Sequence, residues 1–167
     1  MRGSSHYFLG RFIMQLTKNF TLKELTDSNW AVRHGVDNTP PAPVLAELRR
    51  TAELLQRIRN YLTVCAGIDT PMSDISGYRS IPVNRGVGSS DGSDHVRGMA
   101  ADFKARGMTP YQVCQALLPK LDEFGIGQII NELTWVHVST KMVAKPINRI
   151  ITIDRYGTRA GILRGRP

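Results

Sequence analysis

Apolar positions recur at helical spacing in one long stretch of the chain and then break into short alternating runs. After Pro41, residues Leu45, Leu48, Ala52, Leu55, Ile58 and Leu62 fall on one helical face, which predicts a helix over about 42–64. The prolines of NTPPAPV punctuate the chain before it, because Pro cannot continue a helix but can begin one. Arg49, Arg50, Gln56, Arg57 and Asn60 form the opposite face and read as solvated surface. An earlier short helix is predicted at TLKEL, where Thr21 and Glu24 have the spacing of a capping box, and it should end near Ser28. A second capping box, Thr109 with Gln112 and Pro110 at the first helical position, predicts a helix to about Glu123, stopped by GIG.

Beyond Gly67 the period shortens. MSDIS and GYRSIPVNRGV read as β-like runs, GSSDGSD as a loop, and MAADFKA, GQIINE, TWVHVST and RIITID as strands. Helices followed mostly by strands on short turns predict an α+β fold with an antiparallel β-sheet packed against helices. No repeat or interdomain linker interrupts residues 14–167, which are expected to form one domain. Residues 1–13, MRGSSHYFLGRFI, have only a short, interrupted apolar run. They are expected to be a disordered upstream or cloning-derived extension, neither signal peptide nor anchor, which sets His6 aside.

Composition adds one constraint. A chain of 167 residues with a net charge of +8 can bury a core and should favour an anionic partner: nucleic acid, lipid head groups or an acidic wall polymer. The arginine-rich end RYGTRAGILRGRP lacks the interleaved aromatics of a nucleic-acid surface, so no nucleic acid is expected. Nothing is apolar for long enough to span a bilayer. Cys65 and Cys114 match no CxxC pattern and are expected to be reduced, buried thiols.

Outside the extension the histidines are His34, His95 and His137. In TWVHVST, Trp135, His137 and Ser139 share a strand face while Val136 and Val138 point into the core. In DHVRGMAADF, Gly98 lets the chain turn between His95 and Asp102, and Ala100 and Ala101 leave room for close approach. Two imidazoles and a carboxylate suit zinc, with a fourth position left for water, and such a site hydrolyses amides. Spacing alone equally allows a loop histidine, a solubilising aspartate and a half-buried histidine. His34 precedes a turn without an acidic partner and reads as structural.

The segment SGYRSIPVNRGVGSSDGSDHVRGMAADF together with WVHVS resembles the zinc D-Ala-D-Ala carboxypeptidase family, whose metal-site fold is shared with hedgehog domains. The Ser-Gly-Tyr-Arg-Ser strand end, the Ser-x-His-x-x-Gly-x-Ala-x-Asp block and the late His-Val pair occur in order. TLKELTDS and VDNTPP are similar to the small phage and prophage branch, so the likeness runs from about Thr17 to Ile153. It implies a hedgehog/DD-peptidase-like fold, Zn2+ held by His95, Asp102 and His137, and Arg79 as the substrate-side arginine. Ser93, Tyr78 and Trp135 are candidate substrate contacts, with loop orientation the alternative for Ser93 and packing the alternative for Tyr78 and Trp135.

Some members carry an acidic general base three positions before the late histidine, where this chain has Thr134. Glu132, five positions before, is the substitute, brought over the metal by a turn through Leu133 and Thr134; Asp94 and Asp91 are rival bases or extra ligands. The implied function is a zinc peptidase acting on peptidoglycan stem peptides, as D,D-carboxypeptidase or L-alanyl-D-glutamate endopeptidase, in a phage or prophage lysis enzyme. It would be cytoplasmic on synthesis and act at the cell wall; a monomer is favoured, the sequence itself leaving the oligomeric state open. The alternative is a non-catalytic zinc-binding domain with a binding role.

Overall fold

The computed structural model describes residues 14–165; the 1–13 extension and His6 lie outside them. Helix α1 (Leu22–Thr26) begins at the Thr21–Glu24 capping box, with both reciprocal bonds formed. It stops two residues short of Ser28, which caps a further helix, α2 (Asn29–His34), that the hydrophobic pattern did not indicate. Six residues are too few to register as a 3.6-residue period. Helix α3 (Ala42–Ala66) is the long one and ends at Gly67 in the left-handed conformation. Leu48, Ala52, Leu55, Ile58 and Leu62 are fully buried along its inner face. Its outer face is not merely solvated: Gln56 clasps the backbone of Asn19, and Arg57 donates to the Phe124 carbonyl at 3.1 Å.

Strand β1 (Met72–Ser76) follows. GYRSIPVNRGV then departs from its β-like reading: Ile81–Gly86 is helix α4, preceded by Ser80 and with Pro82 in its first turn. Strand β2 (Ala100–Ala105) and helix α5 (Pro110–Leu117) match their expected starts. The predicted run to Glu123 is broken at Pro119 by a 3₁₀ turn before helix α6 (Leu121–Phe124). Strands β3 (Gln128–Asn131), β4 (Val136–Ser139), β5 (Ile150–Asp154) and β6 (Gly157–Ala160) complete the fold. β6, inside the arginine-rich end, was not anticipated.

The sheet order is β1-β2-β4-β3-β5-β6. Neighbours are antiparallel except β3 with β5, which run parallel, a pairing set by a connection longer than a hairpin. The α+β architecture of helices on a largely antiparallel sheet therefore holds. One sheet face, carrying Ala101, Phe103, Ile129, Val136 and Val138, packs on α3 and α5 and forms the core. The other face is free to carry polar groups. Cys114 is buried as expected, and burial pushes its thiol up to about 12. Cys65 is exposed, contrary to expectation, because it sits on the outer face at the end of α3. No helix among the described residues is long and apolar enough to cross a membrane.

Gly98 joins these layers. Its φ is +72°, and a Cβ there would meet the Val44 carbonyl oxygen of α3 at 2.8 Å. Its own carbonyl accepts from the buried Thr51 hydroxyl at 2.7 Å. Gly98→Ala should therefore destabilise the fold by about 1–3 kcal/mol, read as a lowered thermal midpoint; an unchanged midpoint would refute this packing role.

Candidate metal centre

The register of two central strands builds the site. In the antiparallel β2–β4 pair, Asp102 lies directly opposite His137, on the face away from the helices. Cross-strand neighbours have Cβ atoms about 4.5–5.5 Å apart, so the two side chains meet without any loop having to deliver them. His95 arrives from a 3₁₀ turn, Asp94–Arg97, whose start is capped by Ser93: its hydroxyl accepts from the His95 amide at 3.3 Å. Two bonds tie this turn to the chain after β1. Arg79 N–H donates to the His95 carbonyl at 3.2 Å, and His95 Nδ1 lies 2.6 Å from the Gly77 carbonyl oxygen.

The Gly77 carbonyl can only accept, so Nδ1 carries the proton and the Nε2 lone pair faces the cluster. Gly77 cannot bear a side chain, since a Cβ would lie 2.7 Å from the Leu25 carbonyl oxygen. Asn38, from the VDNTPP turn, holds the same segment: Oδ1 accepts from Ser80 N–H at 2.7 Å and Nδ2 donates to the Tyr78 carbonyl at 3.2 Å. Sequence reading passed over Asn38, whose partners are about forty positions away.

Ligand-capable atoms of His95, Asp102 and His137 all lie within 4.8 Å of one another. His95 Nε2 is 3.3 Å from both His137 Nδ1 and Asp102 Oδ1, and His137 Nδ1 is 2.8 Å from that same oxygen. Bonds of about 2.0–2.2 Å around a tetrahedral ion separate neighbouring donors by about 3.3–3.6 Å. Two edges of the triangle already match; the third is a hydrogen-bond distance and must open by about half an ångström. The residues present therefore fit zinc.

Protonation agrees with that fit. Burial opposes ionisation of Asp102, yet the neighbouring histidines outweigh it through charge and hydrogen bonds and hold its carboxyl well below the usual carboxylate range. Burial drives His95, only 3% exposed, below the ordinary histidine value despite Asp102, in the direction of the neutral ring that metal ligation takes.

The cluster floors a cavity of about 360 Å³ whose lining also includes Arg79, Ser93, Asp94, Glu132 and Trp135. The Arg79 guanidinium bonds Asp102 Oδ2 and donates through Nε to Ser76 Oγ at 3.0 Å. It thus buttresses the cluster while lining the cavity. Glu132 projects from the turn after β3, where Leu133 adopts φ +64° and Thr134 N–H closes back on the Glu132 carbonyl at 2.8 Å. Burial raises its carboxyl above the ordinary range, more than the positive influence of His137 lowers it.

The remaining candidates divide. Trp135 lines the cavity, 39% exposed. Asp94 also lines it but is engaged by the Ser139 hydroxyl at 2.9 Å. Asp91 is drawn away to Arg85, bonded at 2.8 and 2.5 Å, and does not line the cavity. Of the two readings open for Tyr78, substrate contact or packing, the structure places it in packing: it is 7% exposed within the hydrophobic core and stands outside the cavity lining. Its neighbour Arg79 takes the cavity side. His34 stacks on Trp30 with ring centroids 4.0 Å apart and has a structural role.

A family model described as Peptidase M15 matches residues 18–139, nearly three-quarters of the chain. The chain belongs to the Peptidase M15 family. It is accordingly a peptidase of a zinc metallopeptidase family, and its His-Asp-His cluster supplies a set of residues able to hold that metal. No curated protein matches the chain. The donor geometry predicts one zinc per chain, with His95→Ala and His137→Ala each losing it on dialysis while keeping the fold. Elemental analysis beside circular dichroism checks this; a full complement of zinc in either variant would contradict it.

Proposed function

We propose that this M15 peptidase hydrolyses amide bonds in bacterial peptidoglycan stem peptides, with His95, Asp102 and His137 holding zinc and Glu132 serving as general base. The observation that carries the reading is the meeting of this donor triangle with a partly buried carboxylate in one cavity. When bound, zinc supplies a Lewis acid that polarises the scissile carbonyl and makes water more acidic.

The chain's own residues divide the rest of the work. Glu132 takes the proton of the attacking water and returns it to the leaving amine; its raised affinity for protons suits both steps. Arg79 lies against Asp102 at the cavity edge, where its guanidinium can hydrogen-bond the substrate carbonyl or a neighbouring carboxylate and offset negative charge developing on oxygen. Ser93 sets the backbone that carries His95, and Trp135 offers an apolar wall.

A net charge of +8 favours a substrate bearing several carboxylates, as stem peptides do. The likeness of TLKELTDS and VDNTPP to the small phage branch supports a lysis enzyme, made in the cytoplasm and acting at the wall. D,D-carboxypeptidase and L-alanyl-D-glutamate endopeptidase actions release fragments of different mass, so mass spectrometry of digested peptidoglycan identifies the bond. Activity should require metal and disappear with a chelator. Zinc bound without any hydrolysis would instead support a binding domain.

Glu132→Gln should lower kcat about 10²–10⁴-fold with zinc retained; a fully active variant would remove Glu132 from the mechanism. The pH profile follows from the same carboxyl. A base works ionised, so activity is lost as pH falls through its pKa, and the upward shift places that acid limb of kcat/KM above the ordinary glutamate value of about 4.3. A limb at or below that value would contradict the assignment.

A further inference from the structure

We propose that Asn131 is a positioning residue for Glu132, acting through the turn that follows it and anchored from behind by chain segment 161–165. This rests on the reading of Glu132 as general base. Along β3, Ile130 and then Glu132 line the cavity, whereas Asn131 points to the opposite face and is only 1% exposed. Both ends of its amide are in use. Oδ1 accepts from the Leu133 N–H at 3.1 Å, and Nδ2 donates to the Leu163 carbonyl at 2.8 Å.

Leu133 needs that hold. Its φ of +64° is one that bulky residues avoid. Its side chain rests against Gly165, where an added Cβ would lie 3.0 Å from Leu133 Cδ1. The anchoring segment is itself fixed. Leu163 N–H donates to Thr152 Oγ1 at 2.8 Å, and that hydroxyl, fully buried on β5, donates to the Gly161 carbonyl at 2.8 Å. Ile162 enters the hydrophobic core. On the cavity side the turn is closed by Glu132 N–H to the Trp135 carbonyl at 3.1 Å.

The direction of the Glu132 carboxylate is thus set by a buried amide that never touches the cavity, and by β5 and a segment that lie beyond the residues matched by the family model. Removing the amide leaves the Leu133 N–H and the Leu163 carbonyl unpaired and frees Leu133 to relax out of the left-handed region. A base displaced by about an ångström loses on the order of 10²-fold in rate while substrate binding is spared.

The test uses the full chain loaded with zinc and a soluble stem-peptide fragment released from purified peptidoglycan. Asn131→Ala should lower kcat about 10–100-fold with KM within about twofold, zinc stoichiometry unchanged, and faster hydrogen exchange at the Leu133 amide. Combined with Glu132→Gln it should be no slower than Glu132→Gln alone, because both act through one group. Adding Leu133→Gly, which adopts the turn unaided, should restore part of the loss. Should Asn131→Ala fail to fold, Gly165→Val pushes the anchoring segment off Leu133 and should give the same kcat-only defect. Wild-type kcat in the folded variant, or a full additional loss in the Glu132→Gln background, would overturn the inference. A crippled Glu132→Gln beside an unaffected Asn131→Ala removes this inference alone, whereas a fully active Glu132→Gln removes the base assignment and this inference with it.

Discussion

The site depends above all on the register of β2 against β4, which sets Asp102 directly opposite His137. A slip of one residue would turn Asp102 into the helices and bring Ala101 or Phe103 to the polar face. The register is secured from the other side of the sheet. Ala101, Phe103, Val136 and Val138 are all essentially fully buried there, and no slipped pairing keeps them so. Hydrophobic burial on one face therefore fixes the donor geometry on the other. The site inherits the rigidity of the core without using a core position.

That coupling also explains how ionisable groups sit together at low exposure. A buried carboxylate is tolerated only when paired and hydrogen-bonded. Asp102 divides its two oxygens: Oδ2 meets Arg79 and Oδ1 faces the two histidines. Arg79 is in turn held by Ser76 and by the backbone of the His95 turn. Each group has a partner before any substrate arrives, and the Oδ1 side converges with two ring nitrogens. The arrangement is preorganised for a cation.

Local chemistry was legible in the chain and long-range chemistry was not. The capping boxes at Thr21 and Thr109 are complete within four residues, and both helices begin where they indicate. The alternation of TWVHVST placed Val136 and Val138 inward and His137 outward. Helices of six residues, α2 and α4, carry too few apolar positions to announce a period, and α4 was hidden further by β-branched Ile81 and Val83. The parallel pairing of β3 with β5 leaves no trace in either strand alone. At the site, the His95, Asp102 and His137 trio was found through ordered motifs. Asn38 and Asn131 were missed because an asparagine's importance lies in partners from other segments.

Those two asparagines illustrate a common physical solution at opposite sides of the cavity. Arg79 and Glu132 each occupy irregular backbone next to a strand end, where no ladder fixes the chain. In each case an amide with both a donor and an acceptor bridges that irregular segment to a second one: Asn38 joins Thr26, Tyr78 and Ser80, and Asn131 joins Leu133 to Leu163. A carboxylate has no proton to give and cannot bridge a carbonyl and an N–H. A hydroxyl can, as Thr152 does, but from a single oxygen, whereas the amide presents donor and acceptor on separate atoms that reach partners lying apart. The sheet register positions two of the metal-site residues, and buried amides extend comparable order to side chains that must come from loops.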